Sequence, residues 1–453
     1  MKTRWIVITL CAVALVAAAI SVRLTAQADA VPPADQAGPY KVGFVANTYY
    51  DSTRSDFADG PRPIQTFIWY PAAFDNNGSP RLPAVYPMIN LVGSMVLPDA
   101  SSTNYEAYGI DPAYQEVAAS KGGPFPLVVF SPGQGASSTF FLRLGARLAS
   151  HGFVVAIPTN YDDRMTATGE KQFYPSEESY TLGIYIERTR DIQYLMTRLV
   201  ADSQQSGNLL SGTIRSDQIA VAGHSVGGGA ALALAGGDNQ TCDIPGLDPN
   251  LIPPELCVPI LPDPRIKAIV TIDGSNWFLR YAELARIKIP NMGIGREWNT
   301  LKSVSPGFEH DQARQHAAVQ SHPSYRVDVA HATHMSFANV CVINQVLHDQ
   351  GIIDDATLDQ ILKIACPSEP VSEEEIGTLT TRYMIAFLKT VLVGETGYEE
   401  MLTPGYALAS ETFIEFFETE KGSPNPRDED AYFSYFMHQP GTLQAKALKD
   451  PSP

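Results

Sequence analysis

The chain has 453 residues, of which 44% are apolar and 18% charged, and its formal net charge is −17. This balance is ordinary for a folded globular protein and excludes collagen-like and disordered classes. The acidic surface excludes a nucleic-acid binder that works by neutralising phosphates, so no nucleic-acid partner is expected, and it argues against tight docking on anionic membranes.

Residues 1–30 read as an export signal. Lys2 and Arg4 supply a positive start, Ile6 to Val22 is an apolar run of 17 residues, and small-residue cleavage patterns follow at Ala26-Gln27-Ala28 and Ala28-Asp29-Ala30. The alternative is an N-terminal anchor, because the run is just long enough to span a bilayer and Arg23 follows it. The expected location is secreted or periplasmic, with no stable membrane span once the signal is removed.

The remaining elements follow in chain order. Lys41 to Tyr49 and Ile64 to Tyr70 predict an antiparallel opening pair. Phe125 to Ser131 is a continuous apolar run ending in Pro-Gly, and Ser138 to Ser150 has helical spacing through Phe141, Leu142, Leu144 and Leu148. Gly152 to Pro158 is a second buried-strand pattern. Ile186 to Val200 is an amphipathic helix with Ile192, Leu195, Met196 and Leu199 on one face. Gln218 to Gly223 is a strand, Gly229 to Ala235 a small-residue helix, and Ile266 to Ile272 the next strand. Pro290 to Gly295 and Tyr325 to Val329 are weaker strands, and Thr378 to Leu392 is a covering helix.

Strand and helix in alternation predict an α/β fold with a mostly parallel sheet and right-handed crossovers, with helices on both faces. The continuous apolar strands fit a sheet covered on both sides. The core domain is expected over 31–400. Residues 81–122 and 237–264, rich in Pro and other loop formers, are expected as lid or rim insertions, and 401–453 as an acidic C-terminal extension.

Of five cysteines, Cys11 leaves with the signal. Cys242, Cys257, Cys341 and Cys366 allow three pairings, of which Cys242–Cys257 and Cys341–Cys366 are favoured because sequence neighbours close short loops. With no C-x-x-C and no H-E-x-x-H, neither a metal nor another cofactor is expected, although His331 and His334 stand three apart.

The chemistry concentrates at Gly223-His-Ser225-Val-Gly227, followed by Gly228 and Gly229, where a strand pattern ends and a helix pattern begins. This is the context of a nucleophile on a sharp turn, with glycines where strand and helix must approach closely, as in the α/β-hydrolase fold. Ser225 is the expected nucleophile. A serine hydroxyl needs a base beside it, and in the chain order of that fold the base is a downstream histidine. His334 is favoured because it follows the last strand in a short loop, with His331 as competitor. His310, His316 and His322 lie in an irregular polar stretch and read as surface. Asp273, at the end of strand 266–272, is the expected acid that orients the histidine, with Glu297 as competitor. The backbone N–H groups of Val226 and Gln134 are the expected oxyanion donors, the latter in the loop after strand 125–131.

Phe130-Ser-Pro-Gly-Gln-Gly135, Leu148-Ala-Ser-His-Gly-Phe-Val-Val155 and Gly-His-Ser225-Val-Gly-Gly resemble the platelet-activating-factor acetylhydrolase family and, equally, the bacterial cutinases and polyester hydrolases. Arg62 to Pro71 is similar to the start of both. The resemblance covers about residues 40 to 395, with insertions. It implies an α/β-hydrolase acting on a small-molecule, lipid or polymeric ester. Acetylhydrolases carry the acid after the strand that follows the nucleophile helix, which matches Asp273. Cutinases carry it one strand later, where Asn299 stands here, and an amide cannot stabilise an imidazolium, so the resemblance favours the acetylhydrolase arrangement. By resemblance to the cutinases, Trp277 is a candidate substrate contact. The expected function is a secreted serine ester hydrolase acting on a short-acyl lipid ester. The alternatives are a cutinase-like polyester hydrolase and, from another class, a non-catalytic binding protein on a hydrolase fold.

Overall fold

The computed structural model describes residues 31–56, 60–74, 81–87, 99–159, 177–239, 242, 257–276, 279–296, 311–366, 371–410 and 414–419. The expected signal over 1–30 lies outside them. The described strands are β1 (Lys41–Asp56), β2 (Gly60–Ala72), β3 (Val85–Tyr86), β4 (Ala100–Ser101), β5 (Ala113–Gln115), β6 (Phe125–Ser131), β7 (Val154–Thr159), β8 (Ile214–His224), β9 (Ile266–Ile272), β10 (Asn291–Arg296), β11 (Ser324–Val329) and β12 (Ile414–Thr419). The helices that matter for the site are α1 (Leu142–Ser150), α2 (Glu177–Gln204), α3 (Val226–Gly236), α4 (Asp311–Ala318), α5 (Val340–Asp349), α6 (Asp355–Ala365) and α7 (Glu373–Leu388).

Ten strands form one sheet in the order β12-β11-β10-β9-β8-β6-β7-β2-β1-β5. From β7 through β6, β8, β9 and β10 to β11 the pairing is parallel, whereas β1–β2, β2–β7 and β11–β12 are antiparallel. Strand order reverses at β6, which has β7 on one side and β8 on the other. In open α/β sheets, the carboxyl ends of the strands beside such a reversal form the binding crevice.

Both faces of the sheet are covered, which is why its strands read as unbroken apolar runs. Along each strand alternate side chains go to opposite faces. Ile68, Tyr70, Leu127, Val129, Ile219 and Val221 join α2 and α3 in one buried core. On the other face Trp69 is fully buried against α1, where a Cβ at Gly145 would stand 2.5 Å from the indole. Glycine is required there because helix and ring lie closer than any side chain allows. The stretch Glu373–Val393 is long and apolar enough to cross a membrane, but Tyr383, Met384, Ile385 and Phe387 within it are completely buried in this fold.

Several elements differ from the sequence expectation. Helix α3 starts at Val226 rather than Gly229, because packing of a glycine-rich turn against β8 and β9 overrides weak local propensity. Helix α7 starts at Glu373 because Ser372 and Glu375 form a reciprocal capping box, a signal present in the sequence. Residues 311–318, expected to be irregular, form α4, so His316 is half-buried on a helix and shares a hydrogen bond with the Ser324 hydroxyl. Helices α5 and α6 have no counterpart among the expected elements. The 81–122 stretch is not a detached rim where it is described: β5 pairs with β1 at the sheet edge, and Tyr86 and Tyr105 are fully buried. The extension past 401 supplies β12, which covers the edge of β11. Both favoured disulfides, Cys242–Cys257 and Cys341–Cys366, are present.

A buried ion network fastens α2 to the opening hairpin. Asp191, 1% exposed, accepts Arg54 Nη2 at 2.7 Å, Arg62 Nε at 2.8 Å and Arg62 Nη2 at 2.9 Å, while Glu187 takes Arg54 Nη1 at 2.7 Å. Burial opposes the charge on Asp191, but Arg62 and Arg54 outweigh it and hold its carboxyl below the usual range. Breaking one side of such a cluster leaves buried cations uncompensated. Asp191→Ala is therefore expected to destabilise the fold by about 3–5 kcal/mol, read as a lowered urea midpoint at unchanged slope; a shift within error of zero contradicts the network's role.

Glu373 gives a second prediction. Its carboxylate caps α5, accepting Cys341 N–H at 2.7 Å and Val342 N–H at 3.4 Å. Burial nevertheless dominates and pushes the acid from its ordinary 4.5 up to about 7. Between those two values the native state holds a proton that the unfolded chain has released, so this group's contribution to stability falls as pH rises through the window and then levels off. Glu373→Gln removes that slope. The variant should gain on the wild type by on the order of 2–3 kcal/mol between pH 4.5 and pH 8, measured by denaturant titration at each pH. A difference that stays flat with pH sinks this reading.

Candidate active site

The carboxyl ends of β6, β8, β9 and β11 deliver the residues singled out from the sequence to one edge of the sheet. Strand β8 ends at His224, and Ser225 follows at φ 55°, ψ −126° before α3 begins. That positive φ is costly for a residue with a side chain and persists only where the surroundings impose it. Here they do: a Cβ at Gly223 would sit 2.3 Å from the Gly227 backbone, and one at Gly227 would sit 2.1 Å from the Ser131 carbonyl oxygen. Ser225 N–H donates to Ile272 O at 3.1 Å, and its own carbonyl accepts N–H groups from Gly228, Gly229 and Ser275. The turn is thus locked into β9 as well as its own helix, and Ser225 keeps its side chain half-exposed.

Asp273 follows β9 directly, also at positive φ (41°), with its N–H on Ile294 O at 2.6 Å. Its Oδ2 contacts His334 Nδ1. It also accepts Arg296 Nε at 2.8 Å, while Oδ1 accepts the Arg296 N–H at 3.3 Å. The structure therefore joins His334, and not His331, to the acid. His331 is exposed, at φ 63°, in the turn after β11. The competitor acid Glu297 lies outside the described residues, as do Asn299 and Trp277.

His334 opens a short 3-10 turn, His334–Phe337, whose start is tied by a Thr333–Ser336 capping box and by Thr333 Oγ1 donating to Ala365 O at 2.7 Å. The second disulfide joins α5 to the residue after α6, so the segment holding His334 is cross-linked immediately behind it. The imidazole is 29% exposed, and its Nε2 lies on the side away from Asp273. No hydrogen bond joins Ser225 Oγ to His334 among the described residues. His224, the residue before Ser225, has its ring 4.5 Å from that of His334, and its Nε2–H donates to the His334 backbone carbonyl at 2.8 Å. Burial is the main cause that lowers His224 to about 3, so it stays neutral and keeps that donor at any ordinary pH.

The loop after β6 closes the site from the other side. A Cβ at Gly133 would stand 3.0 Å from both His224 Nδ1 and Ser225 Cβ, so Pro132 to Gln134 runs against the Ser225 turn. Gln134 is half-buried, and Gly135 beyond it takes φ 69°. The Val226 N–H opens α3 and has no carbonyl one helical turn back to bond. Arg188 of α2, fully buried, donates Nε to Pro132 O at 3.1 Å and Nη2 to Gly133 O at 2.7 Å.

His224, Arg296 and Arg188 were not anticipated from the sequence. His224 is the variable letter inside G-x-S-x-G, and Arg296 stands in the Gly295-Arg-Glu297 segment that drew notice only for its acid. Arg188 lies one position from the charged face of an amphipathic helix, where an arginine ordinarily reads as solvated. No local pattern marks any of them, because each acts on a partner more than 20 positions away. A hydroxyl, an imidazole backed by a carboxylate, and free N–H groups at a helix start are together the parts that acyl transfer needs.

The model of the platelet-activating factor acetylhydrolase, isoform II, family matches residues 94–198, which take in the β6 loop and Arg188 but stop short of Ser225. Platelet-activating factor acetylhydrolase of Cavia porcellus is 29% identical over 160 residues, covering 29% of this chain and 36% of the relative. Cutinase est2 of Thermobifida alba is 27% identical over 179 residues, covering 39% of this chain and 43% of the relative. The chain thus spans well under half the length of these relatives. Among solved structures, a ferulic acid esterase from Streptomyces cinnamoneus superposes with a TM-score of 0.54 at 20% identity, over 81% of this chain and 94% of that one, which shows a shared fold. With its sheet order and its strand–Ser225–helix turn, the chain has the α/β-hydrolase fold, and part of its sequence is similar to an acetylhydrolase and to a cutinase.

Proposed function

We propose that this protein is an exported serine hydrolase that cleaves carboxylic esters through an acyl-enzyme. The observation that carries the reading is the Asp273–His334 contact beside His224, the residue that precedes the strained Ser225. In this reading His334 Nε2 takes the Ser225 proton as Oγ attacks the ester carbonyl carbon. The negative oxygen that results is held by the Gln134 and Val226 N–H groups. Collapse of the tetrahedral intermediate expels the alcohol, which receives the proton back from His334. Water, deprotonated by the same imidazole as it attacks the acyl carbonyl, forms a second tetrahedral intermediate, whose collapse breaks the bond to Ser225 Oγ, returns the proton from His334 to that oxygen and releases the carboxylic acid. Asp273 holds Nδ1–H throughout and stabilises the imidazolium, with Arg296 fixing the carboxylate's orientation.

A short-acyl lipid ester is the proposed substrate class. It is supported by the acid following β9, the placement that resembles acetylhydrolases, and by similarity to an acetylhydrolase of Cavia porcellus. Similarity to a Thermobifida alba cutinase favours polyester cleavage as the second reading. Two disulfides fit an oxidising compartment, which supports export.

Ser225→Ala is expected to lower p-nitrophenyl butyrate turnover by roughly 10⁴-fold or more, and Asp273→Asn by about 10³–10⁴-fold, both with little change in KM. A fluorophosphonate should label the wild type at Ser225 and leave the alanine variant unlabelled. Full activity in Ser225→Ala ends the assignment of Ser225 as the nucleophile, and a wild type inert to both reagents ends the proposal in favour of a binding protein. In a panel of acyl chain lengths beside a polyester film, acetyl and butyryl esters should be cleaved faster than dodecanoyl esters and film; the reverse ranking selects the polyester reading.

A further inference from the structure

The mechanism above uses the Gln134 N–H as an oxyanion donor, and the reasoning here rests on that reading. What aims this N–H is a question about the peptide that carries it. A trans peptide is planar, so the Gly133 carbonyl and the Gln134 N–H point in opposite directions. Whatever holds the carbonyl therefore sets the direction of the donor.

Two groups hold the Gly133 carbonyl. The Ala136 N–H reaches it at 3.2 Å and closes the turn, and Arg188 Nη2 reaches it at 2.7 Å. Arg188 Nε takes the preceding carbonyl, Pro132 O, at 3.1 Å. Two successive carbonyls thus converge on one guanidinium, an arrangement their like-oriented dipoles oppose without a cation between them. Glycine at 133 offers no Cβ to resist rotation of the peptide that follows, and Gly135, on the far side of Gln134, has no heavy atom within 4 Å of where its Cβ would be. Local sterics therefore do not fix the Gly133–Gln134 peptide, and a flip would present a carbonyl oxygen to the oxyanion in place of a donor.

The cation is well placed to prevent this. Arg188 is fully buried on α2, and its helix neighbours Glu187 and Asp191 anchor that helix to the β1–β2 hairpin through Arg54 and Arg62. The guanidinium is planar, always charged and able to fork across two acceptors, which an ammonium does less well. We propose that Arg188 is a positioning residue for the oxyanion pocket, which grips the Pro132 and Gly133 carbonyls so that the Gln134 N–H faces Ser225.

The test compares wild type, Arg188→Lys and Arg188→Gln on p-nitrophenyl butyrate and on a trifluoromethyl ketone, whose hemiketal places a negative oxygen where the oxyanion forms. Active enzyme is counted by end-point fluorophosphonate labelling, so partial unfolding does not pass for slow turnover. The expected result is a fall in kcat of about 10–100-fold per active site with KM within about twofold, and a loss of ketone affinity that tracks kcat/KM. A purely structural role would reduce the number of labelled sites and leave ketone affinity per site unchanged, and that outcome overturns the proposal. If neither variant folds, the structure of the wild-type ketone adduct decides. The hemiketal oxygen should lie within hydrogen-bond distance of Gln134 N while Gly133 O stays on Arg188; a flipped peptide or a released guanidinium overturns the inference. A wild type that neither turns over nor labels refutes the hydrolase reading itself, whereas an active wild type with unaffected Arg188 variants refutes this inference alone.

Discussion

The backbone at Ser225 cannot relax, and the rest of the site is arranged around that fact. Strand β8 and helix α3 approach so closely that no side chain fits at Gly223 or Gly227. The residue between them is left at positive φ, with its side chain standing off the end of the sheet. The strain persists because the Ser225 N–H and carbonyl are bonded to β9, to the loop after it and to α3. The same contacts place β9's next residue, Asp273, beside the Ser225 turn.

Around that turn the structure spends its buried polar groups on orientation. His224 holds the carbonyl of His334, Asp273 holds its ring, and Arg296 holds Asp273. Arg188 holds the loop after β6. Each is a charge or dipole in a region of low dielectric, where an unpaired partner is expensive, so the parts specify one another's positions. Helix α2 links this array to the far side of the sheet. It presents Glu187 and Asp191 to the β1–β2 hairpin and Arg188 to the loop after β6, so the hairpin's arginines and that loop are fastened to the same helix.

The segment that carries His334 is built differently. It leaves β11 through an irregular turn and gains rigidity from a capping box, a side-chain bond to the end of α6 and a disulfide just beyond. Glu373 adds a carboxylate under the start of α5, at a depth where burial outweighs the donors around it. In the proposed mechanism His334 gives and receives protons within one cycle, which a mount that stays still while its charge changes would favour.

Much of this was legible in the chain. The apolar run at 125–131 and the largely apolar one at 266–272, interrupted by Lys267 and Thr271, marked two central strands to the residue, since a sheet buried on both faces leaves little polar alternation to blur them. Gly223 to Gly227 marked the turn because close approach demands glycine. Ser225 and Asp273 directly follow strand patterns and His334 lies in the short loop after the last one, and the carboxyl ends of strands are where such a sheet places its site. What the chain could not show is which groups meet. Arg296, His224 and Arg188 act across gaps of 23, 110 and 55 positions, and one-dimensional spacing carries no record of such distances. Helix α4, the sheet-pairing β5 and the edge strand β12 owe their form to tertiary contacts that outweigh weak local preference. Sequence by itself determined the fold class, the turn and the chemical types at the strand ends. Only the folded chain decided their partners, because hydrogen bonds and ion pairs depend on distance in space and not on separation along the backbone.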